Sequence, residues 1–83
     1  MNHKTMKLKK LLNTLSSREF ISIRNKDGSR LYYSGYVEDF ERTWLLIEEN
    51  RKELKNTKVR NLHFSHTEDN GLVVNVYLQE EEQ

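Results

Sequence analysis

The side chains best suited to metal or acid–base chemistry are His63 and His66, followed closely by Glu68 and Asp69. Imidazole and carboxylate groups are ordinary zinc ligands, so this cluster invites a metal reading. On a strand, however, residues three apart point to opposite faces, and the two imidazoles would converge only across a bulge. The acids fall in a turn, and His3 lies at a terminus. The expectation is therefore sheet-surface histidines and no metal site.

Nucleophilic catalysis needs a Ser or Thr activated by an oriented base. The chain has serines and histidines but no G-x-S-x-G elbow, and Gly28, Gly35 and Gly71 are its only glycines. Neither an oxyanion hole nor a phosphate-cradling loop can be built from them. The adjacent acids Glu38-Asp39 and Glu48-Glu49 read as solvated helix faces. No cysteine is present, which removes thiol chemistry and disulfide scaffolds. No catalytic residue and no cofactor is expected, and the chain reads as a non-enzyme.

The most informative group is Phe20, Arg24, Arg30, Tyr32 and Tyr36. Aromatics interleaved with arginine suit single-stranded nucleic acid, which needs stacking area and phosphate neutralisation. The same residue types anchor protein interfaces. A third reading covers this face with a helix and leaves the tyrosines half-buried. The formal charge of +1 weighs against nucleic acid, whose affinity comes largely from phosphate neutralisation.

These residues must be positioned by a hairpin. Segments 19–25 and 29–37 flank Asn25-Lys26-Asp27-Gly28, whose Asp-Gly pair supplies the positive φ of a tight turn. Alternation puts Ile21 and Ile23 on one side with Leu31, Tyr33, Gly35 and Val37. Phe20, Ser22, Arg24, Arg30, Tyr32, Ser34 and Tyr36 fall on the other. Upstream, Met6, Leu8, Leu11, Leu12 and Leu15 form the apolar stripe of a short amphipathic helix.

Downstream, Asp39 can cap a helix over 40–55 with Phe40, Trp44, Ile47 and Leu54 on its apolar stripe. Leu45 and Leu46 widen that arc beyond the needs of a two-layer domain. They are secondary interface candidates, and the width of the arc points to a partner or a second copy of the chain on that side. A second hairpin joins 58–66 to 72–78 through a turn ending in Asn70-Gly71, with a bulge expected near Arg60-Asn61.

The order α-β-β-α-β-β predicts an α+β fold with a four-stranded antiparallel sheet from two hairpins and helices packed on it. Its expected core is Leu11, Leu15, Ile21, Ile23, Leu31, Val37, Trp44, Ile47, Leu62, Val74 and Val76.

The chain has 83 residues, 33% charged and 35% hydrophobic, with balanced charge. That is room for one modest core, which favours a binding module over an enzyme with a deep cavity. Residues 5–79 read as one domain, with 1–4 and 80–83 as frayed termini. No apolar run is long enough for a membrane span or a signal peptide, so the expected setting is cytoplasmic, with no membrane partner. Asn, Lys, Phe, Tyr, Met and Ile together number 28, against three for Gly, Ala and Pro, the bias an AT-rich genome produces.

Leu8 through Leu15, then Ile21-Ser22-Ile23-Arg24, Asp27-Gly28 and Leu31-Tyr32-Tyr33-Ser34-Gly35-Tyr36-Val37, resemble short uncharacterised proteins encoded by phages and mobile elements of AT-rich Gram-positive bacteria. Those proteins place a leucine-rich helix before a strand, an Asp-Gly turn and a Leu-Tyr-x-Gly strand. Here two residues, Tyr33 and Ser34, separate Tyr32 from Gly35, and segment 39–57 is longer. The resemblance covers about the first 37 residues and implies no catalytic residues. It implies a setting inside a bacterial host and a host protein as partner, with inhibition of a host defence nuclease among the forms this takes. The alternative expectation is a single-stranded nucleic-acid-binding module using the Tyr/Arg sheet face.

Overall fold

The structure is a computed structural model and describes residues 6–43 and 47–79. Helix α1 (Leu8–Thr14) leads into strands β1 (Phe20–Arg24) and β2 (Leu31–Tyr36). A 3-10 helix (Val37–Arg42) and helix α2 (Glu48–Lys55) follow, then the hairpin of β3 (Lys58–Thr67) and β4 (Gly71–Gln79). The fold is α+β with a four-stranded sheet in the order β2-β1-β4-β3.

Both expected hairpins form, and both turns carry glycine at positive φ, 80° at Gly28 and 70° at Gly71. The sheet is nonetheless mixed and not purely antiparallel, because β1 pairs with β4 in parallel, Ile21 opposite Val74 and Ile23 opposite Val76. Composition explains which strand takes the centre. With Val73, Val74, Val76 and Leu78 buried, β4 is apolar enough for an inner position. Strand β3 carries Lys58, Arg60, Asn61, His63 and Ser65 and takes the edge.

The helices lie on the face that carries Ile21, Ile23, Tyr33, Val74, Val76 and Leu78. Leu8, Leu11 and Leu12 of α1 and Phe40 of the 3-10 helix join them in one buried cluster. Full burial of each such side chain contributes roughly 1.5–3 kcal/mol. Ahead of α1, the Val59 N–H donates to the Met6 carbonyl at 2.8 Å and the Leu8 N–H to the Thr57 carbonyl at 2.9 Å, tying the helix start to the start of β3. Lys55 of α2 pairs with Glu41 of the 3-10 helix.

The single helix expected over 40–55 is not formed. Phe40 is buried in a 3-10 helix that ends at Arg42, and both Thr43 (ψ 130°) and Ile47 (ψ 160°) have extended backbone. Phe40 and Ile47 therefore do not share a helical stripe, and Ile47 is exposed rather than core. Trp44, also expected in the core, lies outside the described residues, as do Leu45 and Leu46.

Leu31 and Leu62 are likewise exposed. The register between β1 and β2 shifts between Ile23 and Arg24, so that Ile23 faces Tyr33 while Arg24 faces Leu31. Tyr32 is the extra residue of a bulge, and the one-residue slip turns Leu31 to the face away from the helices. The bulge expected near Arg60-Asn61 is present between Val59 and Asn61. It brings Leu62 opposite Val76 on the helix side, but on an edge strand that the described helices do not cover.

A candidate interface on the open sheet face

Partners across a sheet share a face, so the registers define what the side away from the helices displays. One row runs Tyr36, Phe20, Val73 and Ser65 across the four strands. The next is Ser34, Ser22, Asn75 and His63, and the third is Leu31, Arg24, Tyr77 and Asn61. The buried cluster that the helices join takes in none of these residues, although Val73 and Ser22 among them are buried; the surface is small and polar along its middle row, with larger side chains at both ends.

At one end Phe20 and Tyr36 meet edge to face, with ring centroids 5.2 Å apart and planes at 81°. Phe20 is half-buried and Tyr36 is 43% exposed. In the centre Asn75 donates from Nδ2 to the His63 carbonyl at 3.1 Å and to the Ser65 hydroxyl at 3.0 Å, bracing β4 against β3. Ser22 is buried among these neighbours. At the other end the Tyr77 ring packs on Gly28, where a Cβ would come within 3.1 Å of the ring. Arg24 reaches from its Nη1 to the carbonyl of the same glycine at 3.4 Å.

The turn that holds Gly28 is a closed polar network. Ser29 donates to Asp27 Oδ1 from both its hydroxyl (2.7 Å) and its N–H (3.0 Å), and the Arg30 N–H donates to Asn25 Oδ1 at 3.1 Å. The Ser29 hydroxyl, then its N–H, hold the Asp27 carboxyl below the usual carboxylate range. On the helix side, burial and then the nearby Asp39 charge push the Tyr33 phenol upward.

Of the residues singled out by sequence, Phe20, Arg24 and Tyr36 lie on this face. Arg30 sits in the turn with its guanidinium 5.4 Å from the Tyr32 ring centroid. Tyr32 does not join Tyr36: displaced by the bulge, it is half-buried and packs against the core cluster. The third reading, in which a helix covers this face and leaves the tyrosines half-buried, matches the burial of Tyr32, whereas Phe20, Arg24 and Tyr36 are not among the residues of the buried cluster. His63 and His66 stand on opposite faces, opposite Asn75 and Leu72. Among the described residues no three His, Asp or Glu side chains gather as a metal ion would need.

Sequence reasoning missed Tyr77, Val73, Asn75 and Leu31 as members of the face. Tyr77 and Asn75 do alternate with the apolar residues of β4, a signal of their shared side. Their neighbours, however, depend on the parallel pairing with β1, which has no local mark. Comparison of this chain with protein-family models, with curated proteins and with solved structures finds no match.

Proposed function

We propose that this chain is a small non-enzymatic binding protein that docks through the open sheet face onto another protein. The observation that carries this reading is the face itself: an aromatic pair at one end, Tyr77 and Arg24 at the other, and a flat row of Ser34, Ser22 and Asn75 between them. Aromatic and arginine side chains are the types enriched as anchors of protein interfaces.

Nucleic acid is the weaker reading of the same surface. Phe20 and Tyr36 are turned edge to face against each other, and the Tyr32 ring already has the Arg30 guanidinium beside it, so stacking faces are partly used within the fold. The formal charge of +1 offers little phosphate neutralisation. The resemblance of residues 8–37 to phage and mobile-element proteins supplies the setting: a host protein as target, with a defence nuclease as a fitting class.

Affinity capture from a Gram-positive host lysate at high salt tests this, using wild type beside Tyr36→Ala and Ser34→Arg. A host protein held by wild type and lost by both folded variants supports the reading. Equal capture by all three overturns it. Binding to single-stranded oligonucleotides that weakens steeply with salt would transfer the face to nucleic acid.

A further inference from the structure

The edge of β3 away from β4 is a second surface, independent of the open face. Among the described residues it is paired only at its start, by Met6 and Lys7 against Lys58 and Val59. Beyond the Arg60 bulge, Asn61-Leu62-His63-Phe64-Ser65-His66-Thr67 has no Lys, Arg, acid or Pro, the residues that usually keep an edge strand from pairing. On the helix side of this segment Leu62, Phe64 and Leu72 are exposed at 39%, 58% and 48%. They share that side because Leu62, Phe64 and His66 stand opposite Val76, Val74 and Leu72.

The charges at its two ends differ in sign. Arg60 stands at the start, and Glu68 and Asp69 stand in the turn at the end, all exposed. Two parallel copies would place like charges together. Two antiparallel copies related by a two-fold axis near Phe64 set Arg60 of each beside Glu68 of the partner subunit, place the two Phe64 side chains next to each other, and set Leu62 of each opposite His66 of the partner subunit, with Leu72 one strand further in. Such an interface is self-complementary, as a closed two-fold dimer requires.

We propose that two copies of this chain pair edge to edge through β3, antiparallel about Phe64, so that one continuous sheet spans the dimer. The pairing leaves both open faces available on the same side of that sheet.

Sedimentation velocity over a concentration series tests the proposal with the intact chain. Wild type should run as a dimer, and Phe64→Lys, at an exposed position where circular dichroism should be unchanged, should weaken dimerisation about 100-fold or more. Arg60→Glu and Glu68→Arg should each weaken it, and the double variant should recover because it rebuilds the pair with signs exchanged. Recovery also keeps the test decisive should Phe64→Lys unfold. A wild type that stays monomeric at about 100 μM overturns the proposal, even if the edge captures a foreign chain, since a useful homodimer assembles well below that range. A dimer indifferent to Phe64→Lys overturns it as well, and a double charge variant no better than the single ones overturns the antiparallel arrangement.

Discussion

The Tyr33 hydroxyl donates to the Tyr36 carbonyl at 2.7 Å, and it reaches that oxygen by passing over Gly35. The ring is held in place by burial and by edge-to-face contact with Phe40, centroids 5.2 Å apart. A core tyrosine thus fixes the backbone that carries Tyr36 on the opposite face.

A Cβ at residue 35 would lie 2.7 Å from the Tyr33 hydroxyl oxygen. Gly35→Ala should therefore displace the ring or the strand and lower stability by about 2 kcal/mol, the usual range for overpacking. Tyr33→Phe should cost about 1 kcal/mol for the lost hydrogen bond. Because both changes act at one oxygen, the double variant should lose clearly less than the sum. Denaturant melts of the four proteins close this cycle, and simple additivity would mean that Gly35 does not serve the Tyr33 contact.

The hairpin turn should show a pH dependence of its own. Asp27 has its carboxyl lowered, first by the Ser29 hydroxyl and next by the Ser29 N–H. A depressed folded value means the charged form is favoured in the fold. The stabilisation is present above the unfolded value of about 3.9 and is lost as pH falls through the folded one. Ser29→Ala should move the Asp27 titration upward, followed by the carboxyl carbon shift in NMR. An unchanged midpoint would mean the hydroxyl contact does not form in solution.

Local signals and long-range ones fared differently. Asp-Gly and Asn-Gly mark both hairpins, because a positive φ is a property of a few adjacent residues. The stripe of Leu8, Leu11 and Leu12 marks α1 for the same reason. The parallel pairing of β1 with β4 joins segments about 50 residues apart, and no residue pattern within either segment marks it. The Tyr32 bulge has no turn residue to announce it, so Leu31 read as core and Tyr32 read as interface. Part of the open face was legible as Phe20, Arg24 and Tyr36. Its other half arrives from β3 and β4 through tertiary pairing.

The break in the expected 40–55 helix can be measured. Phe40 is 1% exposed and Ile47 is 60% exposed, although an unbroken helix would place both on one stripe. Phe40→Ala should cost about 3–5 kcal/mol, enough to unfold a domain of this size or nearly so. Ile47→Ala should stay within about 0.5 kcal/mol of wild type, as surface changes do. Comparable losses at the two positions would restore the continuous helix.

Tyr36 and Tyr32 separate binding from folding most sharply, because they differ in exposure and in what they touch. Tyr36 is exposed on the open face against Phe20, whereas Tyr32 is half-buried, packed on the core cluster and beside Arg30. Truncating Tyr36 to Ala removes an aromatic anchor and little core, so partner binding should weaken by about 2 kcal/mol with a nearly unchanged melt. Tyr32→Ala opens a gap at the bulge and should lower stability by about 2 kcal/mol, less than for a fully buried aromatic. Its effect on binding should be smaller than that of Tyr36→Ala once measured where both variants are folded. Thermal melts and titrations against the captured partner give both quantities. If Tyr36→Ala binds as wild type does while Tyr32→Ala loses binding without losing stability, the contact surface is the turn end near Arg30 and not the Phe20–Tyr36 end.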